Sequence, residues 1–140
     1  MPAKDIYHNL VHRVLVSDGW RITHDPYRIV VGRKNLFVDL GAEKVIAADR
    51  DGKRIAVEVK SFEGQSEVHD LEVALGQYLL YLPFLRVQEP DRSLYLAIPG
   101  EVYQNVFEEP IGQGLLAEYN LRLLVFDSVK EVILQWKPIP

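Results

Sequence analysis

The hexapeptide Ile55-Ala56-Val57-Glu58-Val59-Lys60 constrains this chain more than any other stretch. It is β-branched and apolar enough for an interior strand, yet it carries a carboxylate and an ammonium. Side chains alternate across a strand, so Ile55, Val57 and Val59 share one face and Ala56, Glu58 and Lys60 the other. The Cα atoms of Glu58 and Lys60 then stand roughly 7 Å apart on that second face. Val57, Val59 and the following Phe62 mark the strand as central, where unneeded charge is costly. By itself Glu-x-Lys on a strand also describes an exposed ion pair worth less than about 1 kcal/mol, so its meaning depends on the rest of the chain.

The surrounding pattern predicts an α/β domain. Ile6, Leu10, Val14 and Leu15 recur at helical spacing, which predicts a helix from about Ala3 to Ser17, stopped by Gly19 in "SDGW". Short β segments follow at Arg28 to Val31 and Leu36 to Leu40, joined by the turn-like "GRKN". Val45 to Ala48 is a brief β segment ahead of a hairpin turn in "DRDGK" (Asp49 to Lys53), which leads into the central strand. Ser66 caps a helix that has Glu67 in its first turn. Its apolar face is Val68, Leu71, Leu75, Tyr78, Leu79 and Leu82, and Pro83 ends it. "SLYLAIP" (Ser93 to Pro99) reads as a buried strand, Glu101 to Phe107 and Ile111 to Tyr119 as helical, and Leu121 to Phe126 and Val132 to Trp136 as strands. The expected order is α-β-β-β-α-β-α-β-β, a mixed β-sheet flanked by helices.

Composition narrows the function. The 140 residues suit a single domain, 1–140, and 48% hydrophobic with 26% charged residues is the balance of a globular protein. With no cysteine, the chain has no disulfide, thiolate nucleophile or Cys-based metal site. Lys4, Asp5, His8 and His12 interrupt any leader-like apolar run, and no stretch approaches the roughly 20 apolar residues of a membrane helix. A cytoplasmic protein without a membrane partner is expected. The formal charge of −4 means that any nucleic-acid role must rest on a local patch, a metal ion or a partner.

Asp39, in "LFVDL", lies near the end of an earlier β segment. If that segment neighbours the central strand, Asp39, Glu58 and Lys60 converge at one end of the sheet. Two carboxylates can hold Mg2+ (or Mn2+) while leaving sites for water and phosphate, and a lysine can orient the water or offset developing charge. Glu43 is a rival for the first carboxylate, because on a continuous strand it would share the face of Asp39. Gln77 and Tyr81 are spaced i, i+4 on the next helix, on a face distinct from Leu71, Leu75 and Leu79. Gln77 can hydrogen-bond a phosphate or a base, with Tyr81 in support. Asp5 and His8 stand one turn apart on the first helix as accessory candidates. His8 and His12 have the spacing of a zinc pair but no third ligand suggests itself. Lys4, Arg13, Arg33, Lys34 and Lys44 offer a phosphate-facing patch, and Trp20 and Trp136 are expected to pack.

Asp39, then "VEVK", then a helix bearing Gln-x-x-x-Tyr resembles the PD-(D/E)xK nuclease superfamily, the restriction-endonuclease-like fold. More narrowly, "MPAKDIYH", "VDLGAEK", "VEVKSF", "LGQYLLY" and "EPIGQ" resemble the XisH family almost from end to end. That family is named for an fdxN element excision controlling factor, implicated in the site-specific DNA excision that restores a nitrogen-fixation gene in differentiating cyanobacteria. The resemblance places Asp39, Glu58 and Lys60 on the superfamily's active-site positions and implies a magnesium-dependent nuclease acting on DNA. Many nucleases of this fold bring an acidic residue of the first helix near the metal, which would be Asp5 here. Val38 stands where the superfamily motif has Pro, and the stretch from Asp39 to Glu58 is long, so Asp39 and Glu43 stay open as the first carboxylate. The other class of function is a non-catalytic control protein that binds DNA, a site-specific recombinase or another excision factor, and homodimerisation fits either class. A third reading is an interaction domain whose Glu58–Lys60 pair is incidental.

Overall fold

The computed structural model describes residues 4–46 and 49–140. A six-stranded sheet runs in the order β1 (Arg21–His24), β4 (Leu40–Ile46), β5 (Asp49–Val59), β6 (Arg92–Pro99), β7 (Leu123–Asp127), β8 (Val132–Lys137). β1, β4 and β5 are antiparallel, β5, β6 and β7 run parallel, and β8 returns antiparallel. A separate hairpin pairs β2 (Tyr27–Val31) with β3 (Lys34–Val38). Helix α1 (His8–Ser17) precedes the sheet and α2 (Glu67–Gln88) links β5 to β6. The second parallel link holds α3 (Gly100–Val102), a π-helical turn (Tyr103–Phe107) and α4 (Pro110–Tyr119).

Strand alternation on β5 does what its residue pattern predicts. Ile55, Val57 and Val59 join Leu10, Val11, Val14, Leu15 and Trp20 in one core beneath α1. Ala56 faces the other core, with Leu71, Ala74, Tyr78, Tyr81 and Leu85 of α2. Both faces of the sheet are covered, as parallel strands require. Trp20 and Trp136 pack at 5.6 Å between ring centroids. Among the described residues, no helix is long and apolar enough to cross a membrane.

Several elements depart from expectation. α1 begins at His8 rather than near residue 3; Ala3 lies outside the described residues, and Asp5 turns away to accept hydrogen bonds from Tyr7 N (2.9 Å) and Ser61 N (2.9 Å). Its end is as expected, with Gly19 at φ 96° and a Trp20 N to Leu15 O bond of 3.0 Å. β1 is an additional strand, too short at four residues to carry a readable period. Of the segment expected over 45–48, residues 45 and 46 belong to β4, and residues 47 and 48 lie outside the described residues. The turn expected at 49–53 is instead strand, since Ile46 already pairs with Asp49. α2 continues through Pro83 to Gln88; Pro83 sits on the exposed face, where water can replace the lost hydrogen bond. Its buried stripe is Leu71, Ala74, Tyr78, Tyr81 and Leu85, and Val68 is exposed.

Arg92, almost fully buried, ties strands together by donating to Ile55 O (2.8 Å) and Glu89 Oε1 (2.9 Å) beneath the Tyr27 ring. The "EPIGQ" stretch has an equally local reason. Pro110 opens α4, and Gln113 Nε2 donates to Phe107 O at the end of the π-helical turn (2.6 Å). A Cβ at Gly112 would stand 2.3 Å from Phe107 Cα and 2.3 Å from Val106 O. Backbone cannot give way as a flexible side chain can. Gly112→Ala is therefore expected to cost about 3 kcal/mol and lower the melting temperature by about 10 °C, measured by thermal denaturation. A wild-type melting temperature would contradict this close packing.

Candidate functional site

The strand expected through "LFVDL" is not continuous. Asp39 is a bend where the chain leaves the small hairpin (β3) and joins the main sheet (β4). Because Leu40 pairs with Val57, Asp39 arrives beside Glu58 at the carboxyl end of β5. Two side-chain bonds extend the ladder there: Asp39 N donates to Glu58 Oε1 (3.3 Å), and Val59 N donates to Asp39 Oδ2 (2.7 Å). Lys60 follows with Nζ 3.5 Å from Glu58 Oε2. Carboxyl ends of parallel strands are where open α/β sheets place their sites.

The break also separates Glu43 from this group. Glu43 pairs with Arg54 in the strand register and forms ion pairs with Arg21 and Arg54. It stands four register positions from Glu58, which is about 13 Å along a strand. The structure brings Asp39, not Glu43, to Glu58 and Lys60.

Electrostatics at this end are strained. Glu58 is 4% exposed. Burial, then the neighbouring Asp39 charge, push its pKa from 4.5 up to about 8, while Lys60 opposes the shift. Tyr81, from α2, is held well above its ordinary pKa by burial and by the charges of Glu58 and Asp39. Gln77 Oε1 is buried on α2 without a hydrogen-bond partner. The face expected to be distinct from Leu71, Leu75 and Leu79 is not a separate one: Tyr81 is buried in the same core as Leu71, against which Leu75 and Leu79 pack.

The first helix adds two groups. Asp5 Oδ2 accepts from Ser61 N (2.9 Å) and Ser61 Oγ (3.0 Å), which fixes the chain just after Lys60. His8 is buried, with Nε2 2.7 Å from Asp25 Oδ1 and Nδ1 3.7 Å from Asp39 Oδ1. Asp25 was not among the residues the sequence suggested; its contact spans 17 positions and has no local signature. Beside Lys60 a groove of about 340 Å³ opens between Lys4, Asp5, Phe62, Glu63 and the first turns of α2.

The donors present suit a hard divalent ion in kind: two carboxylates in mutual repulsion, one of them buried. They are not assembled around an ion position, because Glu58 is turned to Asp39 N and Lys60. Among the described residues, no three His, Asp or Glu side chains stand grouped to hold a metal. The scattered cations do not form one patch either. Arg13 pairs with Glu131, Lys44 with Asp18, Arg33 and Lys34 lie at the tip of the β2–β3 hairpin, and Lys4 lines the groove.

A family model described as "XisH protein" matches residues 1–134 of this chain. Two solved structures resemble it closely. The crystal structure of an XisH family protein from Nostoc punctiforme PCC 73102 is 41% identical with a TM-score of 0.84, covering 94% of this chain and 98% of its own. That of an fdxN element excision controlling factor protein from Anabaena variabilis is 42% identical with a TM-score of 0.84, covering 95% and 98%. No curated protein matches the chain.

Proposed function

This chain belongs to the XisH family, and on that premise we propose that it is a DNA rearrangement factor with a divalent-metal-dependent, nuclease-type site of the restriction-endonuclease-like kind. One observation carries the proposal: Asp39 and Glu58, distant in sequence, meet at a strand end with Lys60 3.5 Å from Glu58. Asp39 and Glu58 would hold magnesium or manganese, which would polarise a phosphodiester and activate water. In the protein's own share of the work, Lys60 places a positive charge beside the groove, where a phosphate would gain negative charge during cleavage. Asp5 anchors the chain after Lys60 through Ser61. Gln77 offers a buried, unpaired carbonyl oxygen on α2, and Tyr81 buttresses Glu58.

The reading is supported by the cost of the arrangement. An ordinary core would not bury Glu58 against another carboxylate, since taking the group out of water costs free energy whether it stays charged or is held protonated. The excision role is carried from the Anabaena variabilis relative, whose name states it. Incubation of the purified protein with supercoiled and branched DNA, with and without magnesium or manganese, tests it. Metal-dependent nicking or cutting is expected. Failure to cut any DNA form with either ion would replace the nuclease by a control protein that binds DNA or a recombinase.

With a net charge of −4, DNA binding without metal should be weak and fall steeply with salt. A divalent ion should tighten it by offsetting Asp39 and Glu58. Titrations at several salt concentrations measure this, and tight metal-free binding at physiological salt would contradict it.

A further inference from the structure

The β2–β3 hairpin stands apart from the main sheet and differs in charge from the rest of the chain. Tyr27 to Val38 holds Arg28, Arg33 and Lys34 and no Asp or Glu, in a protein with 20 acidic and 16 basic residues. Among the described residues, none of these three cations forms an ion pair, whereas Arg13, Arg21, Lys44, Arg54 and Arg92 each have a carboxylate partner. Alternation sorts the hairpin into two faces. Tyr27, Ile29 and Val38 are buried in the core that Leu71 and Tyr78 of α2 share, with Val31 and Leu36 packed against it. Arg28, Val30 and Asn35 are exposed on the other face, near the turn where Gly32 (φ 57°) and Arg33 lead into Lys34. The hairpin is also tied from the side. Gln88 of α2 accepts from Val30 N (2.8 Å) and donates to Arg28 O (2.9 Å), as a neighbouring strand would.

We infer that this hairpin is a DNA-binding arm, whose tip and exposed face grip the phosphate backbone of duplex DNA. The inference rests on the DNA-directed reading above and adds the surface that holds the duplex. Cations without a carboxylate partner are free to displace the counterions that condense on DNA; paired ones must first give up their partner. Arg, Lys and Asn side chains all donate to phosphate oxygens, and such contacts position a protein without reading sequence. The placement suits that task. Lys34 precedes Asp39 by five residues. Along an extended strand this is a span of about 17 Å. Base pairs rise about 3.4 Å each, so the tip reaches phosphates up to about five base pairs from the strand end where Asp39 meets Glu58. Because the core and Gln88 fix the arm beforehand, little ordering entropy opposes the contact.

The test uses the full chain and a fluorescently labelled duplex of mixed sequence at low salt, without divalent metal. Removing the three charges together (Arg28→Gln, Arg33→Gln, Lys34→Gln) should weaken binding at least ~10-fold and flatten its salt slope by about 3. Removing three exposed cations elsewhere (Arg13→Gln, Lys53→Gln, Lys130→Gln) leaves the same net charge and should change affinity less than about 3-fold. Both variants should melt within about 3 °C of wild type, since all six side chains are exposed. Lysine acetylation of the wild type reads the same contact without any variant. Saturating duplex should protect Lys34 and leave Lys53 and Lys130 labelled. Unchanged affinity in the hairpin variant, or Lys34 labelled as fully with duplex as without it, overturns the proposal. So does a wild type that binds no duplex, or one in which only single-stranded DNA protects Lys34. A protected Lys34 in a protein that cuts no DNA would remove the nuclease and leave the arm standing. Metal-dependent cutting with Lys34 unprotected would do the reverse.

Discussion

Lys60→Ala is expected to lower metal-dependent DNA cleavage by about 10²- to 10³-fold, the usual loss when one charge-stabilising group is removed from an active site. The Lys60 side chain is 23% exposed, lies 3.5 Å from Glu58 Oε2 and lines the groove where a phosphate would sit. Its charge matters most when the phosphate is most negative, so the loss should fall on the catalytic rate more than on binding. Folding should survive, because removing the ammonium leaves Glu58 free to take a proton rather than stranding a charge. Single-turnover cleavage, DNA titration and thermal melts on the same preparation separate these effects. A Lys60→Ala protein that cuts at the wild-type rate would take Lys60 out of the site.

Glu58→Gln is the second large effect, and it is read in stability. In the unfolded chain Glu58 ionises near 4.5, but in the folded protein near 8, because burial and Asp39 disfavour its charged form. Between these values the folded state binds more protons than the unfolded state. The stability that Glu58 contributes is therefore full below the lower pKa and is lost as pH rises through the upper one. Glutamine has no such slope and still accepts from Asp39 N. The variant should match wild type near pH 5 and exceed it by on the order of a few kcal/mol near pH 9, measured by denaturant unfolding. It should also lose the rise in melting temperature that manganese or magnesium confers on wild type. A variant less stable at high pH, with a wild type indifferent to metal, would make Glu58 the structural partner of Lys60 and remove the metal site.

Much of this site was legible in the chain itself. Alternation over Ile55 to Lys60 predicts which residues enter which core, because the period of a strand is a property of the backbone. The Gly19 stop and the Ser66 cap were equally readable, since both are settled within a few residues. Pairings across strands were not. Asp39 and Glu43 are equivalent on an unbroken strand, and only the bend at Asp39, with the register of Leu40 on Val57, separates them.

The sequence by itself determined the alternating central strand, the helix that covers it, and the acidic pair and lysine that make the strand unusual. Each follows from local rules of period, capping and charge. Tertiary structure alone decided which carboxylate meets Glu58, that Asp25 reaches His8, and that the first helix starts late so that Asp5 can grip Ser61. These contacts join residues 17 to 56 positions apart. No local pattern encodes them, because they depend on where whole strands and helices come to rest against one another.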